Sequence, residues 1–204
     1  MRDIKEILQE SSARHKHLCP RQVLGVRMGL YASQLLSLRL PCLDKRLLVI
    51  AETDGCFVDG VIAATNCTVG HRTLRVEDYG KVAATFVDTR TKGAIRIAPR
   101  QDVRERACAL SYTEPRHYFA QLHAYQAMSN EEMLTVQDVV LSVPIEKIIS
   151  KPGLRVNCDV CGEEIMNERE INQKGLTLCR ICAYGGYYQA AHYTVLHLLK
   201  EVTS

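Results

Sequence analysis

The sequence predicts an α+β protein. It has a core domain over residues 1–150, with a mostly antiparallel sheet and packed helices, and a small treble-clef zinc-binding module over residues 151–204. Two observations carry this prediction. In the first part of the chain, short apolar runs of strand length are interspersed with longer apolar segments of helical period. After Lys151–Gly153, which has the composition of a linker, four of the nine cysteines fall into two C-x-x-C pairs.

Apolar periodicity and proline boundaries predict the helices. They cover residues 2–13, 20–40, 56–64, 100–110, 115–128 and 181–202. The second of these helices is apolar almost all round, so we expect it to be central and buried.

Short runs rich in β-branched and other apolar residues predict the strands. They cover residues 47–52, 73–76, 81–87, 94–98 and 135–143. Asp78-Tyr79-Gly80 separates the second strand from the third, which predicts a hairpin at that point.

Composition limits the class of protein. The 204 residues allow one sizeable core, and a net charge of +3 gives by itself no reason to expect nucleic-acid binding. No apolar run approaches the length of about 18 residues that a membrane span needs, and the polar N-terminus is unlike a signal peptide. Nine cysteines, four of them in C-x-x-C pairs, are typical of metal binding in a reducing cytoplasm.

The two C-x-x-C pairs are the usual ligand set of a closed, structural zinc site with four thiolates in a tetrahedron. Gly162 permits the tight turn after the first pair, residues 173–175 form a turn between two short strands, and the second pair lies where the last helix begins. This order of knuckle, hairpin and helix predicts the treble-clef module. Its zinc ligands are predicted to be Cys158, Cys161, Cys179 and Cys182.

A second group of ligand-type residues lies near the N-terminus. If residues 11–19 are extended, His15, His17 and Cys19 project to one side of the chain. Pro20 suits the first position of a helix, which leaves Cys19 at the N-cap, where the helix dipole favours the thiolate. The sequence therefore predicts a cluster of soft ligands at the start of the second helix.

Further polar residues provide partners for this cluster. Cys56 and Asp59 share one face of a predicted helix, Cys67 follows in a polar loop, and Lys81 opens a strand. Imidazole and thiolate ligands suit zinc, nickel or iron, and fewer than four protein ligands would leave an open position for water or substrate. Buried packing remains an alternative for Cys56 and Cys67, as does a solvated strand end for Lys81. The candidate catalytic residues are Cys19, Asp59 and Lys81.

Two blocks of rare residues occur in order along residues 11–90. The first block is His15-x-His17-x-Cys19-Pro20 with Gly25-x-Arg27-Met28; the second is Asp54-Gly55-Cys56 with Asp59, then Cys67-Thr68-x-Gly70 and Asp78-x-Gly80-Lys81-x-Ala83. Together they resemble the signature of the E-subunit family of formylmethanofuran dehydrogenase. The resemblance implies an α+β core, a treble-clef zinc finger in some members, a homodimer, and a metal-containing cleft lined by the Cys, His and Asp residues.

The resemblance supplies no activity, because the redox work of that dehydrogenase lies in its other subunits. The family usually has glycine where this chain has Lys16 and Arg21, so two cations stand beside the predicted ligands. Arg21 and Arg27 suit either an acidic substrate or an exposed helix face.

Two functions of different classes follow from these patterns. The leading hypothesis is a two-zinc metalloprotein, with zinc or another transition metal at the core site, that acts as an accessory subunit or as a small metal-dependent enzyme. The alternative is a non-enzymatic regulator whose finger binds nucleic acid or a partner protein. In either case, the tyrosine-rich final helix is expected to pack on the core or on a second chain.

Overall fold

The computed structural model describes residues 2–149 and 152–189, without the side chain of His15. The chain divides into two compact units, Met1–Ile145 (the core unit) and Glu146–Ser204 (the cysteine unit). The boundary predicted after residue 150 falls on two residues that the structure does not describe, so it stays a prediction. Within the described residues, no helix is long and apolar enough to cross a membrane.

The core unit is a mixed α/β layer structure. Its helices are α1 (Ile4–His15), α2 (Pro20–Leu35), α3 (Cys56–Thr65), α4 (Val103–Leu110), α5 (His117–Ala127) and α6 (Asn130–Met133). Its strands are β1 (Leu47–Ala51), β2 (Leu74–Val76), β3 (Ala84–Asp88), β4 (Ala94–Pro99) and β5 (Leu134–Asp138). They form one sheet in the order β2-β1-β3-β4-β5, parallel between β1 and β2 and antiparallel elsewhere. The predicted α+β class with a mostly antiparallel sheet is confirmed.

The hairpin predicted at residues 78–80 is wrong. The strand β1 lies between β2 and β3 and pairs with both, Val49 standing opposite Leu74 on one side and Phe86 on the other. The connection from β2 to β3 instead crosses the end of β1, where the amides of Tyr79 and Lys81 donate to the Glu52 carbonyl. The fully apolar strand β1 is thus paired along both edges, as a buried central strand requires.

Residues 11–15 are helical, so the extended conformation on which the alignment of His15, His17 and Cys19 depends is absent over the first part of residues 11–19. Helix α1 continues to His15 and ends at Lys16, whose φ of 62° lies in the left-handed region. Glycine adopts that conformation most easily, so Lys16 stands at a position that favours the glycine of the family pattern. The buried Gln22 then fixes the connection to α2, because its amide donates to the Ser11 carbonyl and accepts from the Cys19 amide.

Helices α2 and α3 meet backbone to backbone. A Cβ atom at Gly25 would lie 2.2 Å from the Phe57 carbonyl oxygen, and one at Gly60 would lie 2.2 Å from the Gln22 carbonyl oxygen. Farther along, Gly29 meets Ala64 and Thr65, so the two helices run parallel. Their N-termini therefore lie at the same end of the core unit.

Around this contact, most of α2 is buried, as its sequence predicts. Many of the fully buried side chains of the core unit come from α2, α3 and the sheet, and they include Val23, Val26, Met28, Phe57, Val61, Phe86 and Ile97; α1, α5 and α6 add Ile7, Tyr125 and Met133.

The cysteine unit is built from short elements. They are α7 (Ile145–Ile149), which straddles the boundary between the units, β6 (Arg155–Asn157), β7 (Glu164–Met166), β8 (Ile171–Gln173), β9 (Leu176–Leu178) and α8 (Arg180–Tyr184). The predicted turn at residues 173–175 joins β8 to β9 in an antiparallel hairpin. The helix predicted over 181–202 stops at Tyr184, because Gly185 follows with a φ of 89°. Residues 190–202 of that prediction lie outside the described residues.

Replacing Gly60 with alanine is expected to lower the free energy of unfolding by about 2–3 kcal/mol, because the added methyl group forces α2 and α3 apart. Urea denaturation measures this change. Gly70→Ala is the matched control: a Cβ at Gly70 meets no atom within 4 Å, and its effect should stay below about 0.5 kcal/mol. Equal stabilities of Gly60→Ala and the native chain would contradict the close contact.

A buried carboxylate, that of Asp88, links the end of β3 to Arg46, which directly precedes β1. Asp88 accepts hydrogen bonds from Arg46 Nε at 3.0 Å and Nη2 at 2.7 Å, and from the Arg90 amide at 2.9 Å. The Arg46 guanidinium holds the pKa of Asp88 well below its usual range. Because the pKa is lower in the folded chain than in the unfolded one, this contribution to stability is fully present above about pH 4 and is lost as the pH falls further.

Asp88→Asn is therefore expected to lower the melting temperature at pH 7 and to flatten the fall in melting temperature below about pH 4. Thermal unfolding followed by circular dichroism over a pH series measures both effects. Asp138→Asn removes an exposed carboxylate of β5 and should leave the profile unchanged. A profile for Asp88→Asn parallel to that of the native chain would show that Asp88 is not the titrating group.

Candidate functional site

Four thiols converge in the cysteine unit. Cys158 directly follows β6, Cys161 lies in the turn before β7, Cys179 caps α8, and Cys182 lies within α8. Their sulfur atoms all lie within 4.8 Å of one another, and among the described side chains this is the one set of three or more possible metal ligands that converges so closely. The structure thus brings together all four cysteines that the two C-x-x-C pairs predict as ligands.

Backbone amides point at these sulfurs. The Cys179 amide donates to Cys158 Sγ at 3.3 Å, and the Cys182 amide donates to Cys179 Sγ at 3.4 Å. Gly162, with a φ of 75°, closes the turn by donating to the Cys158 carbonyl at 2.9 Å. Hydrogen bonds from the amides of Cys161 and Cys179 lower the pKa of the Cys158 thiol to about 6, which favours the thiolate that a metal requires.

The spacing of the sulfurs fits a tetrahedral metal. Cys161 Sγ and Cys179 Sγ are 3.9 Å apart, and sulfurs bound to zinc at about 2.3 Å in a tetrahedron are separated by about 3.8 Å. The hydrogen bond with Cys179 raises the pKa of Cys182 to about 12, because thiols this close cannot all ionise without a cation between them. The four residues therefore fit a soft divalent cation by both geometry and charge.

The core unit contains a cleft of about 890 Å³ at the N-terminal ends of α2 and α3. Cys19, the N-cap of α2, and Cys56, the first residue of α3, both line it. Cys19 is 6% exposed and Cys56 is half-buried. The parallel packing of the two helices thus places two thiols, remote in sequence, in the same wall.

The two thiols are in hydrogen-bonding contact. Burial raises the pKa of the Cys56 thiol, and the hydrogen bond with Cys19 raises it further, while the nearby Arg21 guanidinium acts in the opposite direction. The exposed side chain of His17 lines the same cleft. Among the described side chains, which exclude that of His15, these ligand atoms do not form a set as compact as that of the cysteine unit.

The remaining predicted residues lie in different places. Lys81 lines the cleft, whereas Asp59, one helical turn from Cys56 and half-buried, is not part of its lining. Cys67 is buried in the core and donates to the Leu47 carbonyl at 3.4 Å. Burial raises the pKa of its thiol to about 11. Cys67 is therefore held as a thiol away from the cleft.

Several residues that line the cleft belong to no sequence motif and are absent from the predicted site. Tyr118 of α5 reaches back to donate to the Leu18 carbonyl at 3.2 Å, and burial raises its pKa. Arg100 and Arg104 line the cleft as well. Nothing in the sequence relates these two arginines to Cys19. The one sequence signal that could have identified them is their spacing of one helical turn in a predicted helix.

Arg27, an open candidate for an acidic substrate, has a structural role. Its guanidinium donates to the carbonyls of Tyr125 at 3.0 Å and Met128 at 2.7 Å, and to Asn130 Oδ1 at 2.8 Å. It thereby satisfies the carbonyls at the end of α5 and ties that helix to α2. Arg21, in contrast, is exposed and lines the cleft.

Comparison with known proteins shows similarity in both sequence and fold. The sequence model of the family described as "FmdE, Molybdenum formylmethanofuran dehydrogenase operon" matches residues 14–150. A curated protein of Archaeoglobus fulgidus, described as a probable S-adenosyl-L-methionine-binding protein, is 33% identical over 97 residues, which are 46% of this chain and 26% of that protein. The chain thus spans about a quarter of the length of that relative.

Among solved structures, the chain is similar to the crystal structure of a tungsten formylmethanofuran dehydrogenase FmdE-like protein from Syntrophus aciditrophicus, with a TM-score of 0.56 and 22% identity. The similarity covers 91% of this chain and 94% of that one. At this identity the match establishes a shared fold.

Removing bound metal with a chelator at pH 7 is expected to raise amide hydrogen exchange in residues 155–184 by about tenfold or more. The reason is that the buried cluster described in the cysteine unit consists of three side chains, those of Cys158, Ile165 and Leu178, too few to hold a fold without the metal. Exchange followed by mass spectrometry measures the effect, with strands β1–β5 as the internal control. Unchanged exchange in the cysteine unit would contradict a metal-dependent fold.

Proposed function

This chain belongs to the FmdE family, and we propose that it is a two-zinc metalloprotein. One zinc has a structural role in the cysteine unit, which we assign to the treble-clef type with Cys158, Cys161, Cys179 and Cys182 as ligands. Zinc or another transition metal occupies a second, open site in the cleft of the core unit. We place the division between the two domains after residue 150.

The contact between Cys19 and Cys56 carries the proposal for the core site. Two thiols and the His17 imidazole share one cleft, and such ligands suit zinc, nickel or iron better than a hard cation. His15 is an alternative third ligand, so that one position stays open for water or substrate. Cys67 is left out of the set, because its thiol is buried against the Leu47 carbonyl.

An open metal position would supply a Lewis acid and a water of lowered pKa. The chain's own groups would orient whatever binds there. Lys81 offers an ammonium group in the cleft wall, Cys19 offers its sulfur, and Asp59 offers a carboxylate one turn along α3 from Cys56, outside the lining of the cleft. These three remain the candidate catalytic residues of a small metal-dependent enzyme.

The family description refers to the formylmethanofuran dehydrogenase operon, which supports a role as an accessory subunit in an enzyme complex. We also propose a homodimer. A nucleic-acid role receives less support, because Arg155 of the cysteine unit lies 3.4 Å from Glu164, which compensates its charge.

Metal analysis by mass spectrometry tests the proposal. We expect two metal ions per native chain, and one in Cys19→Ala, with a native circular dichroism spectrum, because that change removes a ligand of the open site only. Cys161→Ala should lose the other ion.

Cys108→Ala is the matched control, since this half-buried cysteine of α4 lies outside both sites. It should retain two metal ions. A native chain with a single metal ion, unchanged in Cys19→Ala, would overturn the core site and leave the cysteine unit as the metal site.

A further inference from the structure

The cleft of the core unit is lined by cations. Five basic side chains contribute to its walls, and among the described lining residues none is acidic. They are Arg21, Lys81, Arg96, Arg100 and Arg104. A concave site lined by charges of one sign concentrates the electric field and attracts counter-ions.

Two of these cations have a carboxylate nearby that compensates their charge, one fully and one only in part. Arg96 forms a bidentate pair with Glu52, at 2.6 Å and 2.7 Å. Arg100 lies 3.5 Å from Asp102, a carboxylate that is held more closely by Arg106 at 2.6 Å. The Nε atom of Arg100, which is the atom that faces Asp102, is buried and makes no hydrogen bond, so Asp102 compensates the charge of Arg100 only weakly.

The other three cations have no carboxylate partner within the part of the chain that the structure describes. Arg21, Lys81 and Arg104 are all exposed side chains whose positions converge on one cleft. Their mutual repulsion is unfavourable in the free protein, and a bound anion offsets it by attracting all three cations. The cleft therefore has the charge of an anion-binding site.

The rest of the lining sets the kind of anion. Leu24, Val82, Val103 and Tyr125 add apolar surface to the cleft. A volume of about 890 Å³ falls within the range of pockets for whole organic ligands, and such pockets combine apolar walls with a few polar anchors. A single inorganic ion would leave most of this space and all of its apolar surface unused.

We propose that the cleft binds a small organic polyanion with two or more carboxylate or phosphate groups on a largely apolar body. Arg21 and Arg104, with Lys81, hold the charged groups, and Cys19 and Cys56 face the bound molecule from the wall formed by α2 and α3. The inference rests on the proposed function in that it takes the cleft as the working site of the core unit.

Isothermal titration calorimetry at low salt tests this inference with two probes, inorganic tripolyphosphate and tricarballylate. Binding of either probe supports the proposal, and the preferred probe distinguishes a phosphate ligand from a carboxylate ligand. Arg21→Gln and Arg104→Gln should each weaken binding by about fivefold to tenfold, since each removes a charged hydrogen-bond donor. The affinity should also fall as salt is added.

Arg39→Gln is the matched control, because it removes the same charge from an exposed arginine outside the cleft. An equal loss of affinity in Arg39→Gln, or no binding of either probe, would overturn the inference. Binding of a short DNA duplex that Arg21→Gln and Arg104→Gln weaken equally would assign the cations to nucleic acid instead.

The same titration on the native chain, stripped of metal with a chelator and then dialysed, separates this inference from the proposed metal site. The cations should still bind the probe when the core metal is lost, with a lower affinity because the positive charge of the metal is gone. Binding that disappears without metal would mean that the metal, not the cations, holds the anion, and would overturn the inference. Probe binding by a native chain with one metal ion would overturn the proposed core site alone.

Discussion

The contact between Gly25 and Gly60 determines the geometry of the core unit. At these positions α2 and α3 approach so closely that the carbonyl oxygens of Phe57 and Gln22 occupy the space of a methyl group. Because the helices run parallel through this contact, the N-cap of one and the first residue of the other lie side by side. The cleft, its two thiols and its charged rim all depend on two residues that carry no reactive group.

The two units show how differently a site can be encoded. In the cysteine unit each pair of ligands is local, so a knuckle and one helical turn position the sulfurs and amide hydrogen bonds orient them. In the core unit the cleft is assembled from α2, α3, α4, α5, β4 and the segment before β3, which only tertiary packing brings together. A short motif can describe the first kind of site fully and the second kind only in part.

This difference explains what the sequence could predict. The α+β class and the convergence of the four cysteines follow from periodicity and spacing, which are local properties, and the family follows from the resemblance of two short motif blocks. The hairpin at residues 78–80 was wrong because strand order depends on which edges of β1 are paired. The polar loop at Cys67 suggested a ligand, but its sulfur turns into the core. Arg104 was missed because nothing local connects α4 with Cys19.

The parallel course of α2 and α3 also has an electrostatic consequence. Each helix N-terminus carries a partial positive charge of about half an elementary unit, so two dipoles reinforce the field of the basic side chains at one place. A lone metal ion entering such a field is repelled until thiolates form or a negative ligand arrives. A bound metal would then raise the affinity of the cleft for the anion, and a bound anion would raise its affinity for the metal. Thermodynamic linkage requires that the two changes in binding free energy be equal.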